Sequence, residues 1–396
     1  MPRIKVLTFG LMTALLASGY GVMFTVLDDF RDEYVIEEYW LGAIVGVGFL
    51  ASFVSQMLLA PIADRGHARS LVVWGLALNV IGLVGMAFGE VVVVLLLARF
   101  VMGIGVGMAT PAVRRIVINA DPLNLGSNLG LLLAADVAGF AAGPAVSAIL
   151  VPYFGIPAPF LLIAMLTLVS VPVVLRTEVT EAHETPHNRF AFDLLRSRPL
   201  VAGLLMGAAL FMMIGTFDAL WAIVLDDLGA EDWIANVGIT FFALPLIFLG
   251  SYGGRLAQRI GPFRLGPFGL IVGAIFMFLY GVMPTGLAML AIGIVHALSD
   301  GFTVSSTAVG VGMVSPPARQ ASAQGMLGAA ETLVGGITAV LAGVLYSWGG
   351  RTLAYTTCAV VMVALAVGAW LLAGPQARAL RGAVPSPEPE PAPALV

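Results

Sequence analysis

The sequence is short of charge, of lysine and of cysteine, and each shortage excludes something. Only 11% of the 396 residues are charged, where soluble globular chains carry roughly 25%. Water is therefore not the main solvent of this surface. Lys5 is the only lysine. A P-loop needs Gly-Lys-Ser/Thr, and no glycine precedes Lys5 in such a run, which argues against ATP hydrolysis by this chain. Cys358 is the only cysteine, so an intrachain disulfide is excluded and no compartment is indicated. The net charge of −4 is too small to point to an acidic or basic partner, and nucleic acid is not expected.

What the chain has instead is apolar length. It is 59% hydrophobic, with a mean hydropathy of +0.99. A spanning helix needs ~20 largely apolar residues, and about twelve such windows occur. The first six lie near 5–27, 40–60, 70–88, 91–113, 127–150 and 157–175. The second six lie near 200–224, 234–254, 266–283, 286–313, 323–347 and 352–373. A membrane barrel would show ~10-residue alternating segments instead. Arg3 and Lys5 precede the first run as in a signal peptide, but no cleavage site followed by a soluble domain appears, so it reads as a retained span. The expected fold is an all-α polytopic membrane protein with twelve transmembrane helices.

Charge is distributed unevenly. Sixteen of the 19 Lys and Arg residues fall on one side of this topology: Arg3, Lys5, Arg65, Arg69, Arg114, Arg115, Arg176, Arg189, Arg196, Arg198, Arg255, Arg259, Arg264, Arg319, Arg378 and Arg381. Arg31 and Arg351 fall on the other, and Arg99 lies within a span. The positive-inside rule then puts both termini in the cytoplasm. The setting expected is the plasma (inner) membrane of a prokaryote, with the chain acting as a monomer.

The two sets of six echo each other. VLDD recurs at 26–29 and 224–227, IADR at 62–65 matches LAQR at 256–259, and GLLLAAD at 130–136 matches GMLGAAE at 325–331. Three matches at nearly constant offset, each at corresponding helix ends, indicate a duplicated six-helix unit. The expected organisation is an N-terminal half (1–175), a polar cytoplasmic linker (176–199), a C-terminal half (200–374) and a proline-rich tail (375–396) too polar to pack. Parallel repeats of this kind put a binding site near the midplane, between the halves.

Three motifs resemble those of the major facilitator superfamily, and within it the twelve-span drug:proton antiporters. APIADRGHAR at 60–69 is similar to the family's Gly-x-Leu-Ala-Asp-Arg-x-Gly loop, with Asp64 and Arg65 matching. GRLAQRIGPFR at 254–264 is its second copy, with Arg259 kept and Gln258 in place of the acid. A carboxylate at a helix end can pair with arginines or a neighbouring helix N-terminus in one state, and breaking that latch favours the other. ARFVMGIGVG at 98–107 resembles the Arg-x-x-x-Gly motif. An arginine at mid-span costs ~2.5 kcal/mol or more, so Arg99 reads as a cavity-facing cation paired with a carboxylate. Gly130, Gly139, Gly143 and Pro144 fit the spacing of the exporter motif, a close-packing seam followed by a helix bend. The resemblance implies alternating access driven by the proton gradient, with small-molecule substrate and protons as partners, no enzymatic activity and no cofactor.

Four acids lie within spans: Asp136, Asp218, Asp300 and Glu331. A carboxyl removed from water favours its neutral form, so each is a candidate to take up a proton and release it when water enters. Asp300 ranks first, because His296, Thr303 and Thr307 continue its helix face. Phe217 and Trp221 flank Asp218 and suit lipophilic cations through apolar and cation–π contact. The reading is proton-coupled efflux of hydrophobic or cationic small molecules. The alternative is a proton-coupled symporter or uniporter for sugars, organic acids or amino acids. An intramembrane enzyme or receptor lacks any supporting constellation. HETPH at 183–187 fits H-E-x-x-H, but Pro186 would break the helix that zinc binding requires, so no metal site is expected.

Overall fold

A computed structural model of the chain describes residues 3–177, 179 and 191–382. HETPH and the proline-rich run from Pro385 lie outside the described residues. Thirteen α-helices follow in order among the described residues: α1 (Arg3–Thr25), α2 (Leu27–Tyr34), α3 (Glu38–Ile62), α4 (Ala68–Phe88), α5 (Val92–Ala120), α6 (Leu125–Phe154) and α7 (Pro157–Arg176), then α8 (Arg198–Asp227), α9 (Asp232–Ile260), α10 (Pro262–Val282), α11 (Gly286–Thr303), α12 (Ser306–Val314) and α13 (Gln320–Ala379).

Among the described residues, ten helical stretches are long and apolar enough to cross a membrane. Two of these hold two crossings each. Tyr39–Phe88 spans 50 residues and Pro317–Ala379 spans 63, or ~75 and ~95 Å at 1.5 Å per residue, more than twice a ~30 Å hydrocarbon core. Both are broken where glycine leaves helical geometry. Gly66 (φ 87°) turns α3 into α4, and Gly349 and Gly350 (φ −148° and 66°) split α13 into arms 320–348 and 351–373. Twelve crossings result, as the sequence indicated.

Local chemistry explains the departures from the sequence reading. The acidic segment after α1, expected to be loop, holds the short helix α2. Its Phe30 is fully buried and stacks on Tyr34 and Phe160. The tenth span, expected to be continuous, is interrupted at Val304–Ser305 between α11 and α12. Thr303 and Thr307 there donate to the carbonyls of Ser299 and Val304, and such hydroxyl-to-backbone bonds compete with the helix ladder. α5 runs two turns further than its apolar window and carries Arg114 and Arg115 inside the helix.

Two cores are each built almost wholly from one half, the first on the side away from the arginines and the second along the full length of its helices. One packs Val26, Phe30, Leu83 and Phe160; the other is dominated by α8, α10 and α13, around Trp221, Tyr280 and Met362. On the arginine-rich side one core is shared: Ala63, Val113 and Leu125 of the first half pack with Ala257, Val309 and Ala321 of the second. The halves are thus joined at one membrane face.

Candidate functional site: the cleft between the halves

The joined face is built from repeat-related helix pairs. The start of α6 lies on the end of α9, and a Cβ at Gly126 or Gly130 would collide with the backbone of Gly254 or Gly250. Ser127 and Ser251 share a hydroxyl hydrogen bond of 2.9 Å across this seam. The second pair is the start of α13 on the end of α3, where a Cβ at Gly325 would stand 2.5 Å from that of Ala60. Glycines at these crossings let two backbones approach within packing distance.

Asp64 sits at the second crossing and is fully buried. Its Oδ1 and Oδ2 accept the backbone N–H groups of Ala321 (2.9 Å) and Ser322 (2.7 Å), in the first turn of α13, where the helix dipole favours negative charge. Arg115 Nε lies 3.1 Å from Oδ1. One carboxylate of the first half therefore holds a helix N-terminus of the second. Gln258 occupies the related position at the first crossing. Its Oε1 accepts the N–H of Gly126 at 2.8 Å, and its amide donates to Leu123 (3.2 Å) and Gly382 (3.1 Å). Arg65 follows Asp64 in the glycine turn, and Arg259 is exposed one residue beyond Gln258.

Immediately inside the seam stand two of the four expected acids. Asp136 of α6 and Glu331 of α13 occupy related positions in the two repeats. The Arg114 guanidinium acts electrostatically on both, and Asp136 acts on Glu331. Arg114 also reaches Gln324 Oε1 at 3.4 Å. Gln56 donates to Ser52 (3.1 Å) and reaches Thr332 (3.5 Å). Up to Asp136 and Glu331 the two helices are largely buried; beyond them both become largely exposed. The acids therefore lie where the closed seam ends and the open part of the cleft begins.

The other candidates lie elsewhere. Asp300 is buried within the second half, with Oδ2 3.4 Å from His296 Nε2, and His296 Nδ1 meets the Tyr280 hydroxyl at 3.1 Å. Asp300, Thr303, Thr307 and Met213 border a cavity of about 10 Å³, room for roughly one water. Phe217 stacks on Trp221 at 4.8 Å and packs on Phe242 at 4.5 Å, while Phe242 and Phe276 hold the His296 ring. Asp218, beside Phe217 in sequence, is exposed and has no hydrogen-bond partner among the described residues. Gly139 and Gly143 pack on Ala14 and Gly21 of α1, so that seam lies within the first half rather than between the halves. α6 continues through Pro144 to Phe154.

Arg99 departs from expectation. It is fully buried, its guanidinium carbon lies 3.8 Å from the Tyr20 ring centroid, and none of its nitrogens has a hydrogen-bond partner. It pairs with an aromatic face, not with a carboxylate. The cation beside the acids is Arg114. Sequence reasoning placed Arg114 and Arg115 in a loop, although IVINA follows them and extends the helix. Gln56, a lone amide in an apolar run, was the other available signal.

Comparison with known proteins agrees with this architecture. The model of the Major Facilitator Superfamily matches residues 9–238 and 216–395. Multidrug resistance protein 2 of Bacillus subtilis (strain 168) is 24% identical over 293 residues, covering 69% of this chain and 72% of that one. The uncharacterized MFS-type transporter YhhS of Escherichia coli (strain K12) is 25% identical over 381 residues, covering 92% and 89%. The fold is shared with the human organic anion transporter MFSD10 (TM-score 0.74, 17% identity, 93% of this chain and 100% of that one). It is also shared with FucP in its outward conformation (0.75, 15%, 93% and 99%). With twelve crossings, two repeats closed at one face and a family match over nearly its whole length, the chain belongs to the Major Facilitator Superfamily.

Proposed function

We propose that this membrane transporter exports hydrophobic or cationic small molecules in exchange for protons, by alternating access. The observation that carries the reading is the cluster of Asp136, Glu331 and Arg114 at the floor of the open cleft. The two carboxyls come from opposite halves: Asp136 is exposed at the inner end of the seam, and Glu331 is buried beside it against Gly207. Arg114 offsets one negative charge, which leaves the pair able to hold either a proton or a cationic substrate. Proton uptake from the open side would release substrate, and proton loss on the other side would restore the site. Orientation by the arginine-rich face puts the sealed side and both termini in the cytoplasm, so the open cleft faces outward in the inner membrane of a prokaryote.

The latch residues fit this cycle. Opening the sealed face requires Asp64 to release Ala321 and Ser322, and Gln258 to release Gly126. Phe217 and Trp221 stack on each other inside the core of the second half, and binding of a flat lipophilic cation there would require that core to open. The multidrug resistance relative supports export. The symport alternative keeps the same cluster and reverses the direction of substrate. Inside-out vesicles given a lipophilic cationic dye in the outside medium separate the two. Export gives dye accumulation that collapses with the proton gradient, whereas no dye accumulation together with gradient-driven sugar or amino-acid movement selects symport.

A further inference from the structure

A second polar site lies at the arginine-rich face, at the α6–α9 crossing. A pocket of about 460 Å³ is bordered by Leu123 and Asn124 of the first half, by Arg255, Gln258 and Arg259 of the second, and by Arg381 and Gly382 after the last span. Three guanidiniums border it, and no acid is among its lining residues. The nearest acid in sequence, Asp121, is engaged by Asn124 and Asn128. The repeat-related position shows why this matters. There Asp64 compensates Arg115; here the equivalent residue is neutral Gln258, and its amide is used on Gly126, Leu123 and Gly382. Arg255, Arg259 and Arg381 are exposed, Arg255 with its guanidinium 5.7 Å from the Tyr252 ring centroid, a contact that leaves its N–H groups to a ligand. The α6 N-terminus adds the positive end of a 30-residue helix dipole to the same place.

We propose that this pocket binds a phosphate group, as a free phosphoester anion or as the headgroup of an anionic lipid. Planar guanidiniums match phosphate oxygens bidentately, and the volume leaves room for more than the phosphate itself. The bound group bridges the first half, the second half and the segment after α13, all on the sealed face. It therefore favours the sealed state and slows opening on that side.

The test uses the purified full chain and compares wild type with Arg255→Gln/Arg381→Gln, two exposed positions that carry no core packing. In lipid-free detergent, inorganic phosphate is titrated against sodium chloride of equal ionic strength while thermal unfolding is followed. In nanodiscs, phosphatidylglycerol is compared with phosphatidylcholine. A saturable rise in the unfolding temperature with phosphate, weakened about tenfold or more in the double variant, supports a soluble phosphoester. A rise only with phosphatidylglycerol, lost in the double variant, supports the lipid headgroup. Equal responses of wild type and double variant in both arms, or no response in either, overturn the proposal.

Discussion

At the residue scale, the same chemical group does different work according to what closes around it. Asp64, in the turn after α3, and Asp136, within α6, are both carboxyls beside an arginine, yet Asp64 has a guanidinium and two backbone N–H groups while Asp136 feels the fields of Arg114 and Glu331. Asp64→Asn leaves Arg115 buried without its counter-ion, a change that costs about 3–5 kcal/mol when one partner of a buried pair is removed. The expected outcome is a loosened sealed face. Spin labels at Leu123 and Arg264, in a Cys358→Ala background, should report longer distances across it than in the wild type. Arg99 gives the opposite expectation. Its nitrogens lack partners, and replacing a buried ion with an apolar side chain of similar size is often neutral or stabilising. Arg99→Met should keep or raise the unfolding temperature, while loss of transport would mark the cation over Tyr20 as functional.

The two arginine readings also show how much of the site was legible. Asp136 and Glu331 were two of four acids conspicuous in apolar runs, paired by the repeat but ranked below Asp300. The cation beside them was not conspicuous, since an adjacent Arg114 and Arg115 look like the end of a span. What decided their place was the further helical turns to Ala120, for which the apolar IVI after the arginines was the sequence signal.

At the element scale, glycine positions divide into two kinds. Gly139 and Gly143 fix α6 on α1 inside one half, whereas Gly126 and Gly130 fix α6 on α9 across the halves. Gly139→Ala should lower the stability of the protein, by about 1–3 kcal/mol as for overpacked cores, as seen in thermal unfolding. Gly130→Ala should instead weaken the sealed state and raise label distances at that face. Gly336→Ala and Gly343→Ala, where an added Cβ meets nothing within 4 Å, should leave both readouts unchanged. The glycine spacing was visible in the sequence; which neighbour each glycine meets was not, because GxxxG records a close approach without naming the partner. The break between α11 and α12 was hidden for a related reason: its hydroxyls are tolerated in helices and interrupt one only when their backbone bonds compete with the ladder.

At the scale of the whole molecule, the twelve crossings and the duplicated unit were readable from apolar length and matched helix ends, since lipid requires every backbone polar group to be satisfied within a span. The conformational state was not readable. It depends on a core shared at one face and, among the described residues, not at the other, a balance between two packings of the same helices. The central claim is that Asp136 and Glu331 together carry the coupling proton at the cleft floor, while the buried Asp300–His296 pair tunes the second half without being indispensable. Substrate-stimulated proton flux in proteoliposomes, compared for wild type, Asp136→Asn, Glu331→Gln and Asp300→Asn, measures this directly. Flux should vanish in the first two variants and persist, slowed, in the third. Unchanged flux in both cleft variants, or flux abolished only by Asp300→Asn, would contradict it.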